Sequence, residues 1–508
     1  MAFNELPHED KGGLFLMNVL LVYPEYPDTF WSFKHVLRFI SKKAAFPPLG
    51  LLTIAGMLPK EWDKKLVDTN VTELTDEHIA WADMVFIGAM IVQKAKAREI
   101  IHRCKAQGKK VVVGGPVFTT HDEKFEGVDH FILNEAEVTL PLFLKDLEEG
   151  HPKPTYTSLQ KPDVKKVTLP LWSLIDLRDY ASMSVQYSRG CPYNCEFCDI
   201  IIMNGRIPRA KAPEQLLNEL QALYDAGWRG SVFIVDDNFI GNKLNVKRML
   251  PHLIQWQKER KFPFKLFTEA STDLADDPEL MRLMSAANFF RVFLGIETPC
   301  EESLKETGKV QNVNRDLAET VKIIQQNGME VMGGFIVGFD NDNESIFETQ
   351  IRFIQKIGVV SAMVGVLTAL PQTRLWHRLK AEGRLLSDTT GGNTDGDLNF
   401  IPKMNKDKLI EGYKKIISTI YSRKNYYQRI HTFIKNYRPS VKRQISMGDI
   451  RAFFKSMWQI GVLSNARYSY WKLILKTGLT KIKALPAAVE LAIFGQHYEK
   501  IANKVAPT

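Results

Sequence analysis

The stretch SRGCPYNCEFCD, Ser188 to Asp199, holds Cys191, Cys195 and Cys198, three of only five cysteines in 508 residues. So few thiols exclude a disulfide-built secreted scaffold, and three of them so close together point to metal. A tetrahedral zinc site takes a fourth Cys or His; none stands nearby, so a zinc reading depends on a distant residue. An iron–sulfur cluster accepts cysteines from a loop, and three protein thiolates leave one iron open to an outside ligand. The apolar run SVQY (184–187) immediately precedes the loop and reads as a strand, which places the thiols at a strand's carboxyl end.

Downstream, from about Met183 to Leu385, apolar runs alternate with long helical stretches such as PEQLLNELQALYDAG and LNVKRMLPHLIQWQKER. The strands read SVQY, SVFIVD, FKLFTEA, FFRVFLGIE, EVMGGFIVGF and AMVGVLTAL. Six successive βα units predict a full or partial (β/α)6 barrel whose site lies at the strands' carboxyl ends. Those ends carry Asp236, Asp237 and Asn238 (VDDNF), Glu269 and Ser271 (FTEAS), Glu297 (GIETP) and, within the fifth strand, Gly333-Gly334. Three consecutive polar residues after an apolar strand are costly to bury unpaired, which favours a ligand. The competing reading for each acid is an ion pair with a barrel arginine such as Arg291.

Upstream, MNVLLVYP, KLVD, MVFIGA, KVVVGG and HFIL read as strands, PPLGLLTIAGML and QKAKAREIIHRCKAQG as helices. Strands joined by helical crossovers predict a doubly wound, Rossmann-like α/β domain with a parallel sheet. Ligands on such sheets sit beyond the strands' carboxyl ends, here Tyr23–Pro24, Asp68–Asn70, Gly88–Met90, Gly114–Thr120 and Asn134–Glu137. A structural turn is the plainer reading of the glycine pair. Cys104 reads as an ordinary helix residue and Cys300 as a loop residue.

At about 100–200 residues per domain, this length predicts roughly three domains: 1–150, a polar linker at 151–172, the barrel at 173–390, and a helical carboxyl-terminal domain at 391–508. From Ile401 onward 21 basic residues face 5 acidic ones, a net of +16, which leaves the first 400 residues at −7 of the overall +9. The tail interleaves aromatics with cations (Tyr421, Arg423, Lys424, Tyr426, Tyr427, Arg429; Phe453, Phe454, Lys455, Trp458; Tyr468, Tyr470, Trp471, Lys472). That pattern suits anionic lipid, or the surface of an ordinary packed domain. Nucleic acid is a weaker fit, since no binding module is legible. No apolar run reaches the ~18 residues of a membrane span. The longest, Leu14 to Tyr23, is broken by Asn18 and reads as a strand. A cytoplasmic protein, peripheral at most to the membrane's inner face, is the expectation.

The Cys-x3-Cys-x2-Cys spacing after a first barrel strand resembles the radical S-adenosylmethionine (SAM) superfamily. The resemblance implies a [4Fe-4S] cluster on Cys191, Cys195 and Cys198, with SAM chelating the open iron. It implies SAM contacts from Phe197, Asp236, Asp237, Asn238, Glu269, Ser271, Glu297 and Gly334. The first block (VDTNVTELTDEHIAWADMVFIGAM, VVVGGPVFTT, HFILNEAE) resembles the cobalamin domain of cobalamin-dependent radical SAM enzymes, implying corrinoid contacts from Asn70, Gly114, Gly115, Thr119, Glu135 and Glu137. Where that family's histidine-ligating members have Asp-x-His-x-x-Gly, this chain reads Asp68-Thr69-Asn70-Val71-Thr72-Glu73, so the resemblance implies cobalamin without a histidine beneath cobalt. With CDIIIMNGRIPRAKAPEQ, VDDNFIGNK, GIETP and TALPQTRLWHRL, the chain is similar to the branch that includes the hopanoid C2 methylase. This implies methylation of an unactivated carbon of a small, lipid-like (hopanoid or terpenoid) substrate. One SAM would methylate cobalamin, a second would yield a 5′-deoxyadenosyl radical, and a flavodoxin or ferredoxin would donate electrons. Competing expectations are a cyclase or rearrangement enzyme with the same cofactors, and a non-catalytic cluster or corrinoid sensor that binds nucleic acid. A methylthiotransferase needs three more amino-terminal cysteines, and only Cys104 precedes Cys191.

Overall fold

Strands rich in Val, Ile and Leu on consecutive positions must be covered on both faces, and a parallel sheet between helices does this. A computed structural model of the chain describes residues 16–30, 32–37, 39–120, 125–387, 389–392, 394, 396–440 and 447–507. The Leu14 end of the first apolar run lies outside these. Strands β1 (Asn18–Tyr23), β2 (Asp63–Asp68), β3 (Met84–Gly88), β4 (Lys110–Gly114), β5 (His130–Ile132) and β6 (Thr155–Tyr156) form one sheet in the order β2-β1-β3-β4-β5-β6. Every pair is parallel. Alternation divides each strand between two cores. Leu20, Val22, Val85 and Ile87 pack with Ile100, Ile101 and Cys104 of the helix Lys94–Ala106, whereas Val19, Leu21 and Phe86 pack with Leu51 and Phe143 of the helices Leu49–Met57 and Ala136–Glu148. Helices on both faces make the sheet doubly wound. Burial pushes the Cys104 thiol up to about 11, the state of an inert core cysteine.

The second sheet is built from β7 (Ser182–Val185), β10 (Ser231–Ile234), β11 (Lys265–Ala270), β12 (Phe289–Glu297), β13 (Glu330–Val337) and β14 (Ala362–Val366), paired in chain order and all parallel. Helices at Pro213–Asp225, Lys243–Glu259, Pro278–Ala286, Leu317–Gln326 and Ser345–Ile357 make the crossovers. Among the described residues β7 and β14 do not pair with each other, so the barrel is partial. Two short antiparallel strands escaped the sequence reading: β8 (Ser188–Arg189) and β9 (Arg209–Ala210) bracket the cysteine loop. Two-residue strands carry no periodicity to read.

The chain forms two compact units, and their boundaries differ from those expected. One takes residues up to Glu25, Pro48–Pro162 and Thr168–Ile175; the other takes Tyr26–Pro47, Asp163–Val167 and everything from Asp176. The polar stretch 151–172 is therefore not a free linker: Thr155–Tyr156 pairs with Phe131–Ile132 as an edge strand, and its polarity reflects an exposed sheet edge. The helices after residue 391 belong to the barrel's unit. The Tyr421 hydroxyl donates to the Ala362 carbonyl at 2.7 Å, and Arg291 on β12 pairs with Glu490 at 2.9 Å. Fully buried Arg429 donates to Gln355 Oε1 and the Val360 carbonyl and lies over the Tyr421 and Tyr426 rings.

The helix Lys406–Ile420 meets Ser345–Ile357 where Gly412 faces the Phe347 ring, with no room for a Cβ. Gly412→Ala should lower stability by about 1–3 kcal/mol through overpacking, read as a lower thermal midpoint; an unchanged midpoint would show that the two helices separate freely.

Candidate functional site

The cysteine loop has almost no regular structure, so its backbone needs partners from elsewhere. Asp236, just past β10 and buried, supplies them: its carboxylate accepts from the Tyr187 N–H (2.7 Å), the Ser188 N–H (2.8 Å) and the Ser188 hydroxyl (2.7 Å). Both oxygens are engaged within the fold, so the geometry gives this side chain a positioning role. Burial outweighs the three donors and pushes the carboxyl up to about 7. Asp237 accepts from the Gly190 N–H (3.1 Å) and the Asn204 side chain (2.8 Å), tying β10 to the loop at both ends. Gly190, at φ +98°, lies so close to the carbonyl oxygens of Gly205 and Ile207 that only glycine fits there.

The thiols share one neighbourhood. Cys195 is buried and Cys191 and Cys198 are half-buried. Burial pushes the Cys191 and Cys198 thiols up, and Cys195 adds to both shifts. The Asn238 amide donates to Cys191 Sγ and the Gln311 amide to Cys195 Sγ, each at 3.7 Å. Asn238 also donates to Ser271 Oγ at 3.2 Å, and the Ser271 hydroxyl reaches Asp273, itself paired with Lys243 at 2.7 Å. Among the described residues no three Cys, His, Asp or Glu side chains stand close enough to hold a single ion, which disfavours a zinc site. Three neighbouring thiols that receive amide hydrogen bonds suit a larger, anionic thiolate cluster.

Glu297 ends β12 with φ +63°, beside a register shift between Gly295 and Glu297. The bulge aims its carboxylate at Lys309 Nζ, 2.5 Å away. Its partner is therefore not Arg291, which lies toward the amino ends of the strands and pairs with Glu330 and Glu490. Lys309 also lies 6.0 Å from the Phe197 ring centroid, and its charge bears on Cys195 and Cys198. Phe197 packs toward Phe339 at 6.2 Å, within the core that includes Leu367 and Leu375.

Glu269 is the exception among the acids: among the described residues its carboxylate has no hydrogen-bond or ion-pair partner. Burial first, then the charges of Asp237 and Asp236, push it up from 4.5 to about 8. A half-buried carboxyl without a cation, beside two more, fits a ligand carrying a sulfonium and an ammonium. A Cβ at Gly334 would lie only 2.9 Å from the Phe293 ring, so that ring fills the space over this glycine.

Two residues not singled out in the sequence hold the loop from outside. Glu196, between the cysteines, is buried and takes a fork from Arg378 (Nε at 2.7 Å, Nη2 at 3.1 Å). Arg378 also pairs with Asp340 at 2.8 Å, and the Leu375 N–H donates to the Glu196 carbonyl at 3.0 Å. Lys309 is the other. Both stand far from the loop in sequence, and only the motif TALPQTRLWHRL hinted at Arg378.

In the amino-terminal unit Asn70 donates to Asp68 Oδ1 (2.7 Å) and to the Pro24 carbonyl (3.4 Å) at the ends of β1 and β2. Gly115 has φ +98° and a Cβ there would meet the Ala89 carbonyl at 3.0 Å; at Gly114 it would meet the Ile132 carbonyl at 2.9 Å. Both glycines serve the turn and the strand packing. Thr119 Oγ1 accepts from the Asn134 N–H at 3.2 Å, buried Glu135 pairs with Lys161 at 3.5 Å, and Glu137 sits in the first turn of the helix Ala136–Glu148. Asn70, Gly114, Gly115, Thr119, Glu135 and Glu137 thus all lie along the sheet's carboxyl edge, where doubly wound sheets bind ligands. The order β2-β1-β3 also puts a switch point between Tyr23–Pro24 and Ala89–Met90, two of the strand ends expected from the sequence.

Residues 39–144 match the B12 binding domain, 185–354 the radical SAM superfamily, and 373–508 a domain of unknown function (DUF4070). The chain is 45% identical over 462 residues to an uncharacterized methyltransferase of Synechocystis sp., covering 90% of this chain and 86% of that one. It is 35% identical over 480 residues to the hopanoid C-2 methylase of Rhodopseudomonas palustris, covering 92% and 90%. The chain belongs to the cobalamin-dependent radical SAM methyltransferases. Its fold is shared by the cobalamin-dependent SAM radical enzyme OxsB solved with aqua-cobalamin and SAM (TM-score 0.61, 16% identity, 96% of this chain and 80% of that one). It is also shared by the radical SAM methyltransferase TsrM of Kitasatospora setae (TM-score 0.55, 14% identity, 74% and 80%). The cofactors of this family are a [4Fe-4S] cluster, SAM and cobalamin.

Two outcomes follow from this geometry. Arg378→Lys keeps the charge and loses the fork; it should cost about 1–3 kcal/mol and lower the iron bound per chain after reconstitution, and unchanged iron content would show that Glu196 does not position the loop. A carboxyl raised on folding stabilises the folded state below its unfolded value and loses that contribution as pH rises towards its folded one. The thermal midpoint of the cofactor-free methyltransferase should therefore fall as pH rises from 4.5 to about 8, and Glu269→Gln should flatten that fall. An identical slope in the variant would assign the fall to other groups.

Proposed function

We propose that this methyltransferase acts on an unactivated carbon of a small, polycyclic, lipid-like substrate of the hopanoid or terpenoid class. It takes electrons from a flavodoxin or ferredoxin and meets its substrate at the membrane's inner face. The observation that carries the reading is the apolar lining of the sheet face that bears Glu269. Alternation on β11 buries Leu266 and Thr268 and leaves Phe267 and Glu269 half-exposed on the other side. Phe267 stacks on Phe233 at 4.7 Å with planes 3° apart, Phe46 joins them at 5.4 Å from Phe233, and Phe293 and Met363 lie over Gly334. Aromatic faces and a methionine on this side of the sheet suit a flat or fused-ring apolar ligand. Similarity to a hopanoid C-2 methylase along nearly the whole chain supports the same class.

When bound, the cofactors supply hydrogen abstraction and a methyl group. The chain's own residues do the rest. The amides of Asn238 and Gln311 and the Lys309 ammonium face the thiols and stabilise negative charge there. Glu269 and Asp237 offer carboxylates to a cationic ligand, and the phenylalanines exclude water from the reacting carbon.

The test is anaerobic reconstitution with iron, sulfide and hydroxocobalamin, followed by SAM, a reductant and a polycyclic triterpene. The expected product is heavier by one CH₂ and accompanied by 5′-deoxyadenosine. Loss of hydrogen or gain of oxygen without added carbon would replace methylation with cyclase chemistry. Faster turnover of a polar tetrapyrrole or amino acid would overturn the lipid class.

A further inference from the structure

The helices Met447–Gln459 and Arg467–Thr480 turn large apolar side chains outward, unlike an ordinary water-facing surface. On the first, Met447, Ile450, Phe454 and Trp458 fall within an arc of about 80° at 3.6 residues per turn. Small Ala452 and Ser456 occupy the opposite side, and it is these two that are buried. Phe454 is 62% exposed and Trp458 61%. The second helix is apolar on both sides: Tyr470, Leu473, Ile474 and Thr477 are buried, while Tyr468 (87% exposed), Leu475 and Leu479 (88%) point outward. The inward sides of the pair are joined by a hydrogen bond between the Ser456 and Tyr470 hydroxyls at 2.7 Å. The packed sides are thus fixed, and among the described residues nothing covers the large apolar side chains. Ile482, just beyond, is exposed as well.

Charge selects the occupant. From Ile450 to Val489 the chain has seven basic residues and no acidic one. Arg451, Arg467, Lys472, Lys476 and Lys483 are exposed among the apolar side chains. A second copy of this surface would set cations against cations, whereas an anionic bilayer satisfies both features at once. The apolar side chains enter the acyl boundary, tryptophan and tyrosine sit at the headgroup level, and lysines meet lipid phosphates. No helix among the described residues is long and apolar enough to cross a membrane, so the contact is interfacial.

We propose that the outward faces of these two helices, centred on Phe454, Trp458, Leu475 and Leu479, are the surface by which the methyltransferase docks on an anionic lipid bilayer. This rests on the membrane contact of the functional reading and assigns it to residues.

The experiment is flotation of the full-length reconstituted chain with vesicles of phosphatidylcholine alone or with about 30% phosphatidylglycerol. The expected result is binding about tenfold tighter to the anionic vesicles and weakened by salt. Phe454→Ser/Trp458→Ser should lose most of the bound fraction, and Lys472→Glu/Lys476→Glu should lose the preference for anionic lipid. Thermal midpoint, iron and corrinoid content should stay unchanged, because these side chains are exposed. Flotation that neither pair of substitutions weakens would overturn this face while keeping membrane contact. No flotation would overturn the docking, and methylation of a detergent-dispersed substrate by the same sample would still support the chemistry. A dimer in light scattering that Phe454→Ser/Trp458→Ser dissolves, with no vesicle binding, would overturn the lipid surface in favour of a second copy.

Discussion

Three thiols must be held together on a loop that has almost no ladder of its own, and the rest of the barrel unit is organised around that demand. Backbone N–H groups in a buried loop cannot stay unpaired without a cost comparable to a lost hydrogen bond. The chain meets this with carboxylates from other elements. Asp236 and Asp237 take the N–H groups of Tyr187, Ser188 and Gly190, and Glu196 is clamped from the far side by Arg378. A fork-to-fork pair fixes orientation as well as distance, which a single point charge does not.

This arrangement divides the acidic residues of the barrel mouth by task. Asp236 is engaged by the loop and Glu297 by Lys309, whereas Glu269 has no partner among the described residues. Residues of one chemical type at equivalent strand ends thus end up structural in one case and available to a ligand in another. Burial raises the Asp236 and Glu269 carboxyls alike. What separates them is the donors they face, not their titration. The glycines of the amino-terminal unit make the same point. Gly114 and Gly115 could be either a ligand cradle or a structural turn in the sequence, and both prove to be required where one backbone passes close to another.

The carboxyl-terminal helices carry two kinds of surface. One side is bonded into the barrel unit through Tyr421, Arg429 and Glu490, with a fully buried arginine whose Nη atoms donate to oxygens of that unit and whose plane lies near aromatic rings. The other bears large apolar side chains among lysines and arginines. The aromatic and basic residues of the tail therefore split. Tyr421, Tyr426, Tyr427 and Arg429 belong to the core, and Phe454, Trp458, Tyr468 and Lys472 to the surface. Composition alone grouped them together.

Local pattern determined much of this protein. Continuous apolar runs against helical periods gave both parallel sheets and all six barrel strands, because hydrophobic periodicity is a property of neighbours in sequence. The thiol spacing picked out the cysteine loop for the same reason: Cys191, Cys195 and Cys198 lie within one short segment. The tertiary structure decided whatever depends on residues distant in the chain. Arg378 is 182 positions from Glu196, and Lys309 is 12 positions from Glu297 across a bulge that no periodicity announces. The return of Tyr26–Pro47 to the barrel unit, the edge strand in the apparent linker and the order β2-β1-β3 are likewise long-range pairings. A sequence states which side chains want burial or charge compensation; only the folded chain states which partner supplies it.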